Sequence, residues 1–162
     1  MNILHDGDGR TFPYLRLSVT DVCNFSCTYC LPNGYQKTSD ETYMRVDEIR
    51  RLVTAFTGMG TWKVRLTGGE PTVRPDFLDV AKAVADVEGI KKLAVTTNGY
   101  RLPFRAREYY DAGIRAINVS IDSLKPNSFK KITGHDRLSE ILTGLDARAV
   151  AGFETIKVNA VL

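Results

Sequence analysis

The chain has 162 residues, 43% of them hydrophobic and 25% charged, a composition typical of one globular domain with a sizeable core. Its net charge of +3 is too small, and its basic residues too scattered, to indicate a nucleic-acid or membrane-surface partner. The N-terminus lacks the apolar region of a signal peptide, and no apolar run approaches the ~20 residues of a membrane span. With three free thiols and no export signal, we expect a cytoplasmic protein.

Predicted strands and helices alternate along the chain. Residues 1–12 are expected to form a flexible polar arm, and residues 13–162 a single domain. Apolar residues alternate in the predicted strands, which are 14–20, 63–67, 93–97, 117–122 and 156–162. Helical spacing predicts helices at 46–56, 75–85, 104–112, 126–132 and 137–151. This order indicates βαβ units and a parallel α/β fold, either an open doubly wound sheet or a barrel.

Each predicted strand has one apolar and one polar face, whereas strands buried on both faces would be nearly continuous apolar runs. We expect the apolar faces to pack against the helices and the polar faces to line a common chamber. Arg16, Arg65 and Lys157 lie on the polar faces and favour an anion with several oxygens, such as a polyphosphate. Side chains would bind it, because the sequence has no Walker-type loop. The alternative, an antiparallel sheet with one face in water, is disfavoured by the intervening helices.

All three cysteines, Cys23, Cys27 and Cys30, lie within eight residues after the first predicted strand. Thiolates select iron–sulfur clusters, zinc or copper(I). A zinc site would need a fourth ligand, for which the sequence offers little besides His5 and His135. An iron–sulfur cube on three cysteines keeps one iron open to a non-protein ligand. Disulfide pairing would leave one cysteine over, and packing cysteines do not normally cluster so tightly. The spacing therefore favours a metal cluster that a small molecule completes.

The next three predicted strands also end in groups suited to binding. Ligands collect at the carboxyl ends of strands in parallel β/α folds. These ends carry Gly68-Gly69-Glu70-Pro71, Thr96-Thr97-Asn98-Gly99, and Ser120 with Asp122. Adjacent glycines allow close backbone approach, a carboxylate can accept from a ligand ammonium, and the last pair could bond a ribose or a carboxylate. Each group alone would be an ordinary turn or solvated strand end, but their order along the chain predicts one site.

These motifs resemble the radical S-adenosylmethionine (SAM) superfamily, through C-x3-C-x2-C after a first strand and Gly-Gly-Glu-Pro after the second. The strings RLSVTDVCNFSCTYCLP, KVRLTGGEP, AVTTNGYRL, INVSIDSL and IKVNAVL are similar to one family within it, the GTP 3′,8-cyclases of molybdenum cofactor biosynthesis. The resemblance runs from about Tyr14 to Leu162. It implies a parallel (β/α) partial TIM-type barrel, so that residues 13–162 would be a radical SAM core.

The resemblance also implies roles for particular residues. A [4Fe–4S] cluster, with SAM on its open iron, would be held by Cys23, Cys27 and Cys30. SAM would contact three further residues, Tyr29, Gly69 and Ser120, with Glu70 beside them. GTP would be bound by Arg16, Arg65, Thr96 and Lys157. No side chain is assigned as a catalytic acid or base.

The implied activity is that of a lyase driven by a reducing electron donor. SAM is cleaved to methionine and a 5′-deoxyadenosyl radical, which abstracts hydrogen from C3′ of GTP, and the resulting carbon radical attacks C8 of the guanine. Members of the family carry a second [4Fe–4S] cluster in a C-terminal part, whereas this chain has no cysteine after Cys30. We therefore expect a barrel truncated after about five strands that does not cyclise GTP alone.

The last predicted strand would leave an exposed sheet edge, which favours association such as a homodimer. Two alternatives to the cyclase remain open. One is a radical SAM enzyme that acts on a peptide or another small molecule, since the cluster and Gly-Gly-Glu motifs are shared across the superfamily. The other is a non-enzymatic module that binds zinc through the three cysteines.

Overall fold

The fold is built on one sheet of five parallel strands in the order β1-β2-β3-β4-β5. The computed structural model describes residues 3–37 and 43–161, with the backbone alone for 147–151. The strands are β1 (Tyr14–Ser18), β2 (Lys63–Thr67), β3 (Lys92–Thr97), β4 (Ile114–Ser120) and β5 (Thr155–Asn159). The helices are α1 (Val46–Gly58), a 3-10 turn (Pro71–Val73), α2 (Phe77–Ala85), α3 (Leu102–Asp111), α4 (Pro126–Thr133) and α5 (Leu138–Ala151). The predicted alternation and parallel pairing are confirmed.

A three-residue difference from the predicted boundaries occurs at β4, which begins at Ile114 instead of residue 117. Ile114 pairs with Leu93 and Ala116 pairs with Ala94, so Arg115 is an extra residue in the ladder. Such a bulge breaks the two-residue alternation of apolar and polar side chains. The start of β4 therefore could not be predicted from the sequence pattern. β5 ends at Asn159, and the predicted final residue of that strand, Leu162, lies outside the described residues.

The two faces of the sheet differ as the alternation predicted. One face is buried in a core shared with the helices, and its strand residues include Leu17, Val64, Leu66, Leu93, Val95, Ile117 and Val119. On the other face, Arg16 and Ser18 are exposed and Arg65, Thr96 and Asn118 are half-buried. We call this second surface the open face. The helices pack on the apolar face because burial of its side chains stabilises the fold. The polar side chains on the other face therefore stay accessible.

Residues 3–13 run beside the N-terminal ends of β1 and β2. An isolated bridge pairs His5 with Thr11, and the Asp6 carboxylate accepts bonds from the backbone and side chain of Arg10. The Leu4 N–H donates to the Met59 carbonyl at 2.9 Å. Residues 1–2 lie outside the described part of the chain, and the flexibility of the arm stays a prediction. Among the described helices, none has the length and hydropathy needed to cross a bilayer.

Candidate metal and cofactor site

The cysteine loop, residues 21–31, follows β1 and is bonded to the turn after β2. The Gly69 N–H donates to the Thr20 carbonyl at 2.9 Å, and the Glu70 N–H donates to the Val22 carbonyl at 2.8 Å. A Cβ on Gly68 would lie 2.2 Å from the Thr20 oxygen, and one on Gly69 would lie 2.4 Å from the Val22 oxygen. Both distances are far below contact, so the paired glycines are needed for the turn to approach the cysteine loop.

The middle of the cysteine loop is bonded to the end of α4. The Ser26 N–H donates to the Thr133 carbonyl at 3.1 Å, and the Thr28 N–H donates to the Ile132 carbonyl at 2.9 Å. Gly134 has φ of +76°, and a Cβ there would lie 2.3 Å from the Ser26 hydroxyl. The α4 terminus therefore needs glycine for its left-handed backbone conformation, and a larger residue would also displace the Ser26 hydroxyl.

Aromatic packing adds to these backbone bonds. Phe25 is buried inside the cysteine loop, and its ring stacks on His135 with centroids 4.7 Å apart. Its edge contacts are with Tyr100 and Phe129. Phe25, which lies between Cys23 and Cys27 in the sequence, thus anchors the cysteine loop in the core.

Glu70 is a buried carboxylate, 1% exposed, that joins the turns after β2 and β3. Its Oε1 accepts from the hydroxyls of Thr72 at 2.5 Å and Thr97 at 2.8 Å, and its Oε2 accepts from the Asn98 N–H at 2.6 Å. Burial raises the pKa of Glu70, while these hydrogen bonds favour its charged form. The side-chain amide of Asn98 extends this network, because its Nδ2 donates to Asn24 Oδ1 at 2.8 Å. The Glu70 carboxylate therefore supports the cysteine loop indirectly, through Asn98 and its bond to Asn24.

The three thiols are free; Cys30 is exposed, and Cys23 and Cys27 are half-buried. Burial, followed by the nearby charges of Cys23, Asp122 and Cys30, raises the pKa of Cys27 to about 11. Burial is also the main cause of the raised pKa of Cys23. Such thiols keep their protons until a metal cation compensates the thiolate charge. Soft donors that become charged only on metal binding fit an iron–sulfur cluster.

A single metal ion makes a different geometric demand. Three thiolates around one zinc ion, each about 2.3 Å from it, would lie within roughly 4.6 Å of one another. In the part of the chain that the structure describes, no three His, Cys, Asp or Glu side chains are grouped closely enough to hold one ion.

The residues predicted for SAM lie at the same edge of the sheet as the cysteines. Tyr29, 52% exposed, lies in the cysteine loop, and its hydroxyl donates to Asp122 Oδ2 at 2.8 Å. Ser120 ends β4, two residues before Asp122, and its register partner on β5 is Asn159. Gly69 is exposed and its N–H is already bonded to Thr20, which leaves the carbonyl as its backbone group for a ligand ammonium.

The residues predicted for GTP lie within the strands, on the open face, in two rows of the sheet. Arg16 and Arg65 are register partners on β1 and β2. Thr96 and Lys157 both pair with Asn118, from opposite sides of β4, and so lie about 10 Å apart. The Arg65 guanidinium bonds Thr96 Oγ1 at 3.2 Å, which joins the two rows. Arg16 and Lys157 are exposed at the two ends of this set, which we call the basic stripe (Arg16, Arg65 and Lys157).

Two supporting residues were missed by the sequence reasoning. The Tyr14 hydroxyl accepts from Arg65 Nε at 2.6 Å; the alternation places Tyr14 on the polar face but gives no signal for this bond. Arg74, 3% exposed, donates to the carbonyls of Val19 at 2.9 Å and Met44 at 2.7 Å. It also forms an ion pair with Asp76 at 2.5 Å. No periodic pattern marks either contact.

The profile of the radical SAM superfamily matches residues 17–162, nearly the whole chain. The chain therefore belongs to the radical SAM superfamily, whose members use a [4Fe–4S] cluster and SAM. Within the curated proteins, it is similar to the GTP 3′,8-cyclases of Aeromonas hydrophila subsp. hydrophila (54% identity), Tolumonas auensis (56%) and Shewanella denitrificans (54%). These matches cover 99–100% of this chain but only 48–49% of the relatives. The chain spans about half the length of the curated relatives it matches.

Solved structures show the same fold at low sequence identity. A [FeFe]-hydrogenase maturase, HydG, is 19% identical with a TM-score of 0.73, over 91% of this chain and 35% of its own. Streptococcus suis SuiB bound to SAM is 18% identical with a TM-score of 0.74, over 91% of this chain and 33% of its own. These likenesses confirm the predicted partial TIM-type barrel.

Proposed function

We propose that this chain is the radical-generating part of a GTP 3′,8-cyclase, a lyase of molybdenum cofactor biosynthesis. Its 54–56% identity to proteins of that name along its full length supports the proposal. The observation that carries it in the structure is the Arg65–Thr96 contact on the open face. Arg65 lies two residues before the end of β2, and β2 leads into the Gly68–Gly69 turn that contacts the cysteine loop. A polyphosphate on Arg65 would thus lie on the strand that leads to the cysteine loop.

The cofactor assignments form the first part of the proposal. Cys23, Cys27 and Cys30 hold a [4Fe–4S] cluster, and Tyr29, Gly69 and Ser120 bind SAM. When bound, the cluster supplies the electron that cleaves SAM and starts the radical chemistry. The chain itself holds the loop in place and presents the Gly69 carbonyl to the methionine ammonium. A reducing electron donor and a cytoplasmic location belong to the same proposal.

The second part concerns the nucleotide. The Arg65 guanidinium has five N–H donors, of which one is bonded to Tyr14 and one to Thr96. Three donors therefore remain for phosphate oxygens, in an orientation that its two neighbours fix. Arg16 and Lys157 add charge at the ends of the basic stripe, and Thr96 offers a hydroxyl between them.

The nucleotide assignment is tested by calorimetric titration of GTP into the anaerobically reconstituted protein. We expect Arg65→Ala to weaken GTP binding by about 10- to 100-fold, because a charge-assisted hydrogen bond is worth roughly 1.5–3 kcal/mol. SAM affinity should not change. Arg50→Ala, which removes an exposed arginine on α1, is the matched control and should bind GTP like the wild type.

Two results would count against the proposal. If GTP binds the wild type and Arg65→Ala equally, the basic stripe is not the nucleotide site, and a superfamily member acting on a peptide or another small molecule becomes the better hypothesis. If reconstitution yields tightly bound zinc and no iron–sulfur absorbance or EPR signal, the zinc module replaces both enzyme hypotheses.

A further inference from the structure

Asp122, directly beyond β4, has both carboxylate oxygens engaged by distant parts of the chain. Its Oδ2 accepts from the Tyr29 hydroxyl at 2.8 Å, 93 residues away in the cysteine loop. Its Oδ1 accepts from the Val161 N–H at 2.9 Å, 39 residues away and two residues after β5 ends. One side chain therefore joins the end of β4, the cysteine loop and the segment that follows β5.

This arrangement differs from the role that the sequence suggested for Asp122, an acceptor for a ribose or a ligand carboxylate. The Tyr29 ring is half exposed, and an exposed aromatic side chain exchanges rotamers on the nanosecond scale. Its hydrogen bond to a carboxylate selects one ring position, because a bond to a charged acceptor is stronger than one between neutral groups. The hydrogen bond to Asp122 thus fixes the position of the Tyr29 ring, which packing alone restrains only on its buried side.

We propose that Asp122 is a positioning residue that holds the Tyr29 ring for SAM and clamps the cysteine loop to the segment after β5. The inference rests on the proposed function, since it takes Tyr29 as part of the SAM site. The two bonds work together: the Val161 bond restrains the carboxylate, and the restrained carboxylate orients the tyrosine. The negative charge of Asp122 also lies near Cys27, where it would oppose reduction of a bound cluster.

The test uses two variants that remove different parts of the clamp. Tyr29→Phe deletes one hydroxyl, and Asp122→Ala deletes both acceptors. We expect each to weaken SAM binding to the reconstituted protein by about tenfold. The double variant should be no weaker than Asp122→Ala, because both changes break the same bond. Additive losses would mean that Tyr29 and Asp122 act separately, and would overturn the clamp.

Two further readouts separate positioning from general damage to the fold. In the metal-free protein, hydrogen exchange of the Val161 amide should accelerate at least tenfold in Asp122→Ala and stay unchanged in Tyr29→Phe. In the reconstituted protein, the cluster potential should become less negative in Asp122→Ala only, since Tyr29→Phe removes no charge. Tyr110→Phe, on the outer helix α3, is the matched control and should leave all three quantities unchanged.

The outcomes distinguish this inference from the proposed function. If the wild type holds a cluster but binds no SAM, the proposed function fails, and unchanged exchange of Val161 in Asp122→Ala would then overturn the clamp independently. If the wild type binds SAM and Tyr29→Phe binds it equally well, the inference fails while the proposed function stands. That second comparison holds even if Asp122→Ala does not fold.

Discussion

The cysteine loop and the basic stripe lie on the same sheet but are held in different ways. Backbone bonds fix the loop to the turn after β2 and to the end of α4, and the buried Glu70 carboxylate supports it through Asn98. In the basic stripe, Arg65 has two side-chain partners, while Arg16 and Lys157 are exposed. The cysteine loop is thus held by many short contacts, whereas the basic stripe consists of long side chains of which two are free to change position.

The largest expected effect is at the tight contact beneath the cysteine loop. In Gly69→Ala, the new Cβ would lie 2.4 Å from the Val22 carbonyl oxygen, so the loop has to move. We expect loss of iron incorporation and a fall of about 3 kcal/mol in the free energy of unfolding, measured by denaturant titration.

Gly58→Ala is the control for that change. Gly58 ends α1, and a Cβ added there would meet no atom within 4 Å, so stability should be equal or slightly higher. Normal iron content in Gly69→Ala would show that the cysteine loop is less rigidly held than its contacts indicate.

Arg74→Met tests whether a buried side chain supports the start of the cysteine loop. The variant leaves the Val19 and Met44 carbonyls without their donor, and we expect a loss of about 2–3 kcal/mol at pH 7. Lys82→Met, which breaks the exposed Lys82–Asp86 pair on α2, should cost less than about 0.5 kcal/mol.

The Arg74 effect should depend on pH in a defined direction. The Arg74 guanidinium lowers the pKa of Asp76 below its ordinary value of 3.8. The ion pair therefore contributes fully above that pH and loses its contribution as the pH falls further. Denaturant titrations from pH 7 to pH 3 should show the difference between the wild type and Arg74→Met narrowing below about pH 4 without vanishing, because the bonds to the Val19 and Met44 carbonyls do not titrate. A difference that stays constant would contradict a contribution from the ion pair.

The smallest effect is expected in the basic stripe. Tyr14→Phe removes the acceptor of the Arg65 Nε–H bond and should weaken GTP binding about three- to tenfold, with no change in stability or iron content. Calorimetry with GTP provides the measurement, and Tyr110→Phe again serves as the control. A loss of iron in Tyr14→Phe would mean that the basic stripe and the cysteine loop are not independent.

Local patterns made the sheet predictable, and the cysteine spacing pointed to a metal cluster, which stays a prediction. Two-residue alternation identified the strands and the open face. It missed the start of β4, where the bulge at Arg115 interrupts it, and it extended β1 and β5 beyond their ends at Ser18 and Asn159. The roles of Glu70 and Arg74 were not predictable, because their partners lie 27 residues away at Thr97 and 55 residues away at Val19. Contacts at that separation depend on tertiary packing and leave no periodic trace. The assignments for SAM and GTP came from family resemblance and stay predictions.

The bonds between the cysteine loop and the end of α4 also set a time order during protein synthesis. Ser26 donates to Thr133 across more than 100 residues of chain, so the last cysteine leaves the ribosome long before this partner exists. At about 5–20 residues per second, that delay is at least several seconds. Insertion of the proposed cluster into a finished loop therefore has to wait until α4 has been made and folded.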